Sequence, residues 1–259
     1  MSAQVHVLAS GSTGNATYVS LGGAKVLVDA GISARRIQKG LESIGVAVSE
    51  LDAVVLTHEH RDHVLGLGTL TRRHGVPVYA RPAAWQAMKG KDKMEASCCR
   101  ELPERLHIGG VDIHTFPISH DAADPVGFNF FHHDVKCSVA TDLGFATETV
   151  VRALAYSDIL VLEANHDVNM LEGGSYPWHL KQRILSNRGH LSNDAAAWLL
   201  AKLPKKKQTE VFLAHLSQEN NRPQLALETV ETILRSQSVG DEENNIRLLL
   251  TYPDQMTSL

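Results

Sequence analysis

Leu51-Asp52-Ala53-Val54-Val55-Leu56-Thr57 runs directly into His58-Glu59-His60-Arg61-Asp62-His63, and this junction decides how the rest of the chain is read. The apolar, β-branched run has the pattern of a short strand. Four metal-capable side chains then fall within six residues. Solvated charge runs rarely favour His, and a core His is usually solitary. Three imidazoles and a carboxylate in one segment therefore read as metal ligands, even in a chain with 14 His. Neutral imidazole suits zinc, and carboxylate oxygen suits harder ions such as manganese. The expectation is a centre for two divalent metal ions, zinc or manganese; the other reading is a His-rich loop without metal.

The spacing supports that expectation. Side chains alternate along an extended segment, so His58 and His60 point the same way and can grip one ion. Residues 62–73 predict a helix, with Val64, Leu65, Leu67 and Leu70 as its apolar stripe. Asp62 and His63 occupy its first turn, where the helix dipole favours a carboxylate. The strand-to-helix turn aims this second pair at a neighbouring position.

Composition bounds what surrounds the segment. With 259 residues, 43% of them hydrophobic, the chain is long enough to bury a sizeable core. The formal net charge of -4 announces no global basic field, although local patches can still hold phosphates. Cys98, Cys99 and Cys137 form an odd set, which argues against a disulfide framework and for reduced, structural thiols. No apolar run is long enough to span a bilayer, and Met1-Ser2-Ala3-Gln4 has no basic leader pattern. A cytoplasmic protein without a membrane partner is expected.

Outward from the junction, the N-terminal side predicts a strand at 5–8, a small polar loop at 10–15 and a hairpin of 17–21 with 25–28 around Gly22-Gly23. A helix at 33–44 takes Ser33 as N-cap. On the C-terminal side come a strand at 76–80, a short helix opened by Arg81-Pro82, and hairpins at 106–116 and 127–140. Helices at 147–154, 177–185, 193–203 and 223–234 then alternate with strands at 159–162, 211–214 and 246–250. Two strand-rich halves, each followed by helices, and no low-complexity linker predict one domain over 1–259. Its expected class is α+β, a four-layered αβ/βα sandwich with the metal residues on loops at one edge.

Further ligands should stand at later strand ends. His120 follows an apolar strand and precedes a polar loop, Asp142 closes Cys137-Ser138-Val139-Ala140-Thr141, and His215 closes Val211-Phe212-Leu213-Ala214. Singly, each could be a turn or cap; their shared placement makes them a set.

With these residues the chain resembles the metallo-β-lactamase-fold hydrolases over nearly its whole length. The resemblance implies that His58, His60 and His120 bind one metal and Asp62, His63 and His215 the other, with Asp142 bridging. A flavodiiron oxidoreductase would carry Glu where His60 stands, so hydrolysis is implied over oxygen or nitric oxide reduction. Five segments narrow the likeness to the WalJ (YycJ) group: Leu8 to Asn15, Ser119 to Phe128, Glu163 to Asp167, Gly189 to Asn193 and Ala214 to Asn221. The last two also parallel tRNase Z. That group is associated with exonuclease action on DNA and with mismatch repair. The interval from Asp142 to His215 leaves no room for a β-CASP insertion, and no obvious flexible tRNA-holding arm is present.

The implied reaction is in-line attack of a metal-bridging hydroxide on a phosphodiester of DNA, with RNA as the other nucleic acid to test. Asp62 would orient the nucleophile, and His190, charged and oriented by Glu163, would protonate the leaving oxygen. His190 as a cap of the helix near Ser192, and Glu163 as a plain structural acceptor, are the competing readings. Ser12 and Asn15 of the glycine loop could meet a phosphate, though the loop also reads as a tight turn. Arg183 and Arg188 lie near His190 and are expected to meet the backbone, Lys181 and Lys205 to Lys207 adding local positive charge, although Lys205 to Lys207 reads more readily as a solvated helix end. Tyr176 and Trp178 could stack a base or simply pin their loop. Two other classes stay open: a hydrolase of a small thioester, lactone or cyclic phosphodiester, and a non-catalytic signalling or repair partner.

Overall fold

The computed structural model describes residues 3–237 and 245–259; Met1 and Ser2, read above as part of a start without a basic leader, lie outside them. One sheet comprises β1 (Gln4–Ala9), β2 (Ala16–Leu21), β3 (Ala24–Val28), β4 (Ala53–Val55), β5 (Val78–Ala80), β6 (Cys99–Glu101) and β14 (Thr257–Ser258), in the order β14-β1-β2-β3-β4-β5-β6. The other comprises β7 (Arg105–Ile108), β8 (Val111–Pro117), β9 (Val126–His132), β10 (Val135–Ala140), β11 (Ile159–Glu163), β12 (Gln208–Ala214) and β13 (Asn245–Leu250), in the order β13-β12-β11-β10-β9-β8-β7. Each sheet changes from antiparallel to parallel pairing partway across, at β3 in the first and β10 in the second.

Period-2 alternation explains the layers. In β11, Ile159 and Val161 enter the core between the sheets, while Leu160 and Leu162 face the outer helices. In β3, Val26 and Val28 face inward and Leu27 outward. The outer layer of the first sheet contains α1 (Ala34–Ser43), α2 (Arg61–Val64), α3 (Leu67–His74) and α4 (Pro82–Ala87). The second sheet is followed by α5 (Glu148–Leu154), α6 (Val168–Gly173), α7 (Trp178–Leu185), α8 (Asn193–Lys202) and α9 (Pro223–Gln237), and its outer core packs against α5, α8 and α9. The expected αβ/βα layering is present, and Ser33 caps α1 by accepting the Arg36 N–H.

The helix expected over 62–73 is instead two helices broken at Leu65-Gly66. Carbonyls in its first turn are claimed from outside: Asp62 O accepts the Asn15 N–H, and His63 O accepts the Ala30 N–H. The Gly66 N–H in turn leaves the helix for Ala30 O. Tertiary partners thus replace the i→i−4 ladder and pin the metal loop to the first sheet. Strands β6 and β14 and helix α6 had no sequence expectation; all are short.

Candidate metal centre and cleft

The C-terminal ends of β3, β4, β10, β11 and β12 meet at one edge, where open α/β sheets place their ligand crevices. They deliver Asp29, Thr57 with His58, Asp142, Glu163 and His215; His120 comes from the loop after β8. Bonds between the two sheets fix the meeting. Thr57 O accepts the Val126 N–H, and Glu59 Oε1 accepts the Ala123 N–H at 3.0 Å.

Four imidazoles share one design, whereas His60 turns its Nδ1 inward, 3.0 Å from His58 Nε2. His58 Nδ1–H donates to Thr57 Oγ1 at 3.0 Å, and that hydroxyl donates to Asp29 Oδ2 at 2.8 Å. His63 Nδ1–H donates to Asp29 Oδ2, also at 2.8 Å. His120 Nδ1–H donates to the Gly189 carbonyl at 3.2 Å, and His215 Nδ1–H to Glu163 Oε1 at 2.8 Å. With each outward nitrogen donating, Nε2 is the nitrogen turned to the interior, the orientation that metal-ligating histidines require.

The inward atoms form two adjacent groups. His58, His60 and His120 bring ligand atoms within 4.8 Å of one another, and so do Asp62, His63 and His215. Asp142 lies between them, with Oδ2 3.3 Å from His63 Nε2 and Oδ1 3.8 Å from His120 Nε2. Among the described residues, Asp142 Oδ2 and His215 Nε2 are buried without a hydrogen-bond partner. Each such orphan costs about 1–3 kcal/mol, and a divalent cation would satisfy both. The donor set fits a divalent metal.

Electrostatics point the same way. Burial alone would raise the Asp142 carboxyl, but His215 and His63 hold it well below the usual range. Burial opposes charge on His215, yet Asp142 and Glu163 push it up to about 9. His63 is likewise raised, by Asp29 and Asp142 against its burial. Burial, with His63 alongside, drives His58 well below its ordinary value, into the neutral ligand form. A cation entering here displaces protons from His63 and His215 rather than filling an uncharged hole. Asp29, Asp142 and His215 also hold positive φ angles of 61°, 56° and 56°. Such left-handed backbone costs about 1–3 kcal/mol per non-glycine residue and gathers at functional sites.

Beside the groups opens a cleft of about 270 Å³, lined by Ser12, Tyr176, Arg183, Arg188 and His190 as well as by ligand residues. Glu163 is fully buried behind it. Its Oε1 accepts the His190 Nδ1–H at 2.8 Å besides that of His215; its Oε2 accepts the Leu143 and Leu191 amides at 2.7 and 3.0 Å. Burial would raise this carboxyl, but His190 and His215 hold it at about 2. His190 is no helix cap: Ser192 caps α8 through the Ala195 N–H.

Some expected substrate contacts are engaged elsewhere. Asn15 is buried, its Oδ1 accepting the Gly11 N–H at 2.9 Å while Nδ2 meets Gly11 O at 3.1 Å and His63 Nε2 at 3.2 Å. Its amide braces the loop. Lys181 is buried and donates to the Glu172 and Gly174 carbonyls, closing α6. Lys205 donates to carbonyls at the end of α8. Arg183 pairs with Asp121 at 3.0 Å, and Arg188 is exposed on the cleft wall. Asp29 and Thr57 carried no sequence expectation, although Asp29-Ala30-Gly31 and Asp142-Leu143-Gly144 share a D-x-G pattern that could have disclosed them.

The family model of the metallo-beta-lactamase superfamily matches residues 9–210. The chain is 38% identical over 258 residues to an exodeoxyribonuclease WalJ of Streptococcus pneumoniae, covering 98% of this chain and 96% of that one. It is 36% identical over 237 residues to an exodeoxyribonuclease YycJ of Bacillus anthracis, covering 90% of each. Among solved structures, the metallo-beta-lactamase fold protein YhfI from Bacillus subtilis is similar with a TM-score of 0.73 at 16% identity, covering 99% of both chains, a likeness of fold alone.

Proposed function

Because the chain belongs to the metallo-beta-lactamase superfamily, we propose that it is a metal-dependent exodeoxyribonuclease holding two ions, zinc or manganese. The observation that carries this reading is the shared cleft: two ligand groups, a carboxylate-backed histidine and exposed arginine open onto one space. His58, His60 and His120 would hold one ion, and Asp62, His63 and His215 the other, with Asp142 between them. Bound there, such ions supply an activated water at neutral pH and offset charge on a phosphoryl oxygen.

The chain's own residues do the rest. Asp62 reaches the cleft as a carboxylate: burial would raise it, but His63 lowers it further. It accepts a hydrogen bond from the attacking water and orients it in line. His190 donates its Nδ1–H to Glu163, which leaves Nε2 to carry a proton toward the cleft. As the P–O bond to the leaving nucleoside breaks, that oxygen takes the proton. Arg188, Arg183 and Ser12 line the wall where the phosphate and its neighbours would lie.

DNA rather than RNA belongs to the proposal, supported by the names of the relatives; a role in repair and a cytoplasmic site of action belong to it as what the resemblance to the WalJ group implies. Among the described residues no helix is long and apolar enough to cross a membrane. The test is metal-loaded protein against 5′-labelled DNA, 5′-labelled RNA, bis-p-nitrophenyl phosphate and an acyl thioester. Metal-dependent release of mononucleotides from DNA is expected. No cleavage of any nucleic acid refutes the reading, and turnover of the thioester alone replaces it with a small-substrate hydrolase.

A further inference from the structure

A second, larger concavity of about 740 Å³ opens on the other side of the metal loop. One wall is α2 and α3, the other the segment from Ala87 to Met94. His60 lines both this groove and the cleft, so the two spaces adjoin at the ligand cluster. The walls are tied at their base: the Arg72 guanidinium donates to Lys93 O, and the Glu95 N–H donates to Thr71 Oγ1 at 3.1 Å. The groove is therefore preformed.

Its chemistry is that of an anionic chain with flat apolar parts. Arg61, Arg72, Lys89 and Lys93 are exposed along it, and none forms an ion pair with an acidic group among the described residues. Among the described residues Glu59 is the one acidic lining residue, its Oε1 held by the Ala123 N–H, so in a protein of net charge -4 these four cations leave the groove locally positive. Between them Leu65 stands 49% exposed, with Met94 half-buried nearby. Met packs adaptably against varied shapes. Apart from the His60 imidazole at its end, no aromatic ring lines the groove among the described residues, so along its length bases would meet apolar surface without a stacking platform.

We propose that this groove holds the body of a single nucleic-acid strand whose terminal nucleotide enters the cleft, so that the scissile phosphate lies where the two spaces meet at His60. The assignment rests on reading the cleft as a nuclease site. The sizes agree with it: about 270 Å³ is below the usual range for ligand sites, about 300–1,000 Å³, and suits one terminal unit, whereas the groove, at about 740 Å³, offers between two and three times that space.

The test uses metal-loaded full-length protein, a Lys89→Gln/Lys93→Gln variant, and an Arg152→Gln/Lys202→Gln control of equal charge change on the outer helices of the other sheet, remote from the groove. Binding of a fluorescein-labelled, phosphorothioate single-stranded octanucleotide is followed by anisotropy across a salt series. Loss of two phosphate contacts should shrink the log–log salt slope by about 1.4 and weaken binding roughly tenfold at moderate salt, while the control keeps the wild-type slope. On cleavable strands, the variant's loss of kcat/KM should grow from a dinucleotide to an octanucleotide. A slope equal to wild type, an equal loss in the control, or no binding of the octanucleotide by wild type overturns the groove. If wild type binds but cleaves no nucleic acid, the nuclease reading falls while the salt slope still decides the groove.

Discussion

Asp29 and Asp142 occupy the same place in the two sheets and end in opposite chemical states. Each follows the strand at which antiparallel pairing gives way to parallel, and each is followed by a residue and a glycine packed hard against a backbone carbonyl. A Cβ on Gly31 would lie 1.6 Å from Asp62 O, and one on Gly144 2.5 Å from Asn187 O. The aspartates share a left-handed backbone, at φ 61° and 56°. Asp29 is nonetheless saturated, taking the Thr57 N–H on Oδ1 and both the Thr57 hydroxyl and His63 on Oδ2. Asp142 keeps a buried oxygen, Oδ2, that accepts no hydrogen bond, with His63 Nε2 3.3 Å away. The neighbouring strand makes the difference. In register, the residue after the one opposite Asp29 is Thr57, which gives Asp29 both its N–H and its hydroxyl; the residue in the same position beside Asp142 is Asn165, whose N–H goes to Leu191 O and whose side-chain amide goes to His215 O instead. Where the neighbour spends its donors, rather than backbone, separates a saturated carboxylate from one left able to take a cation.

The widest test of that contrast is Asp142→Ala. We expect kcat/KM to fall on the order of a thousandfold, about 4 kcal/mol of transition-state stabilisation, with a matching loss of bound metal by elemental analysis. Retained metal and activity would make Asp142 structural, like Asp29. Glu163 supports His215 as Asp29 supports His63, and its depressed carboxyl carries a pH signature in metal-free protein. A folded value of about 2 against an ordinary 4.5 places its stabilisation above pH 4.5, lost as pH falls through that window toward 2. The size is on the order of 3 kcal/mol. Acid titration of unfolding free energy should show that decline, and Glu163→Gln should flatten it. Asp29→Asn should weaken metal affinity by about 10–100-fold while saturating metal restores most of kcat; a loss of kcat as deep as that of Asp142→Ala would erase the distinction. The smallest effect is expected for Thr57→Val, about 1–3 kcal/mol of stability by chemical denaturation, from leaving Asp29 and His58 partly unsatisfied.

Much of this was legible from one dimension. The short apolar runs 159–162 and 211–214 were readable as strands, and Ser33 and Pro177 marked helix starts where α1 and α7 begin. His58 through His63 is a local motif, so its ligand character needed no partner to be read. Asp29 was illegible because its importance lies in what Thr57 and His63 do to it across 28 and 34 residues. Lys181 looked like available charge for the same reason. Nothing in sequence shows that α6 ends where its ammonium can take the Glu172 and Gly174 carbonyls. The 62–73 helix read correctly in periodicity and wrongly in continuity, since Asn15 and Ala30 compete for its carbonyls from another layer.

Sequence by itself determined the layered α+β class, the residues able to bind metal and their placement at strand ends, because periodicity and ligand chemistry are local. Tertiary structure alone decided which oxygen stays open, which imidazole nitrogen faces inward and which cations are unpaired. Those depend on where each hydrogen bond goes, and its partner is often tens of residues away in the chain.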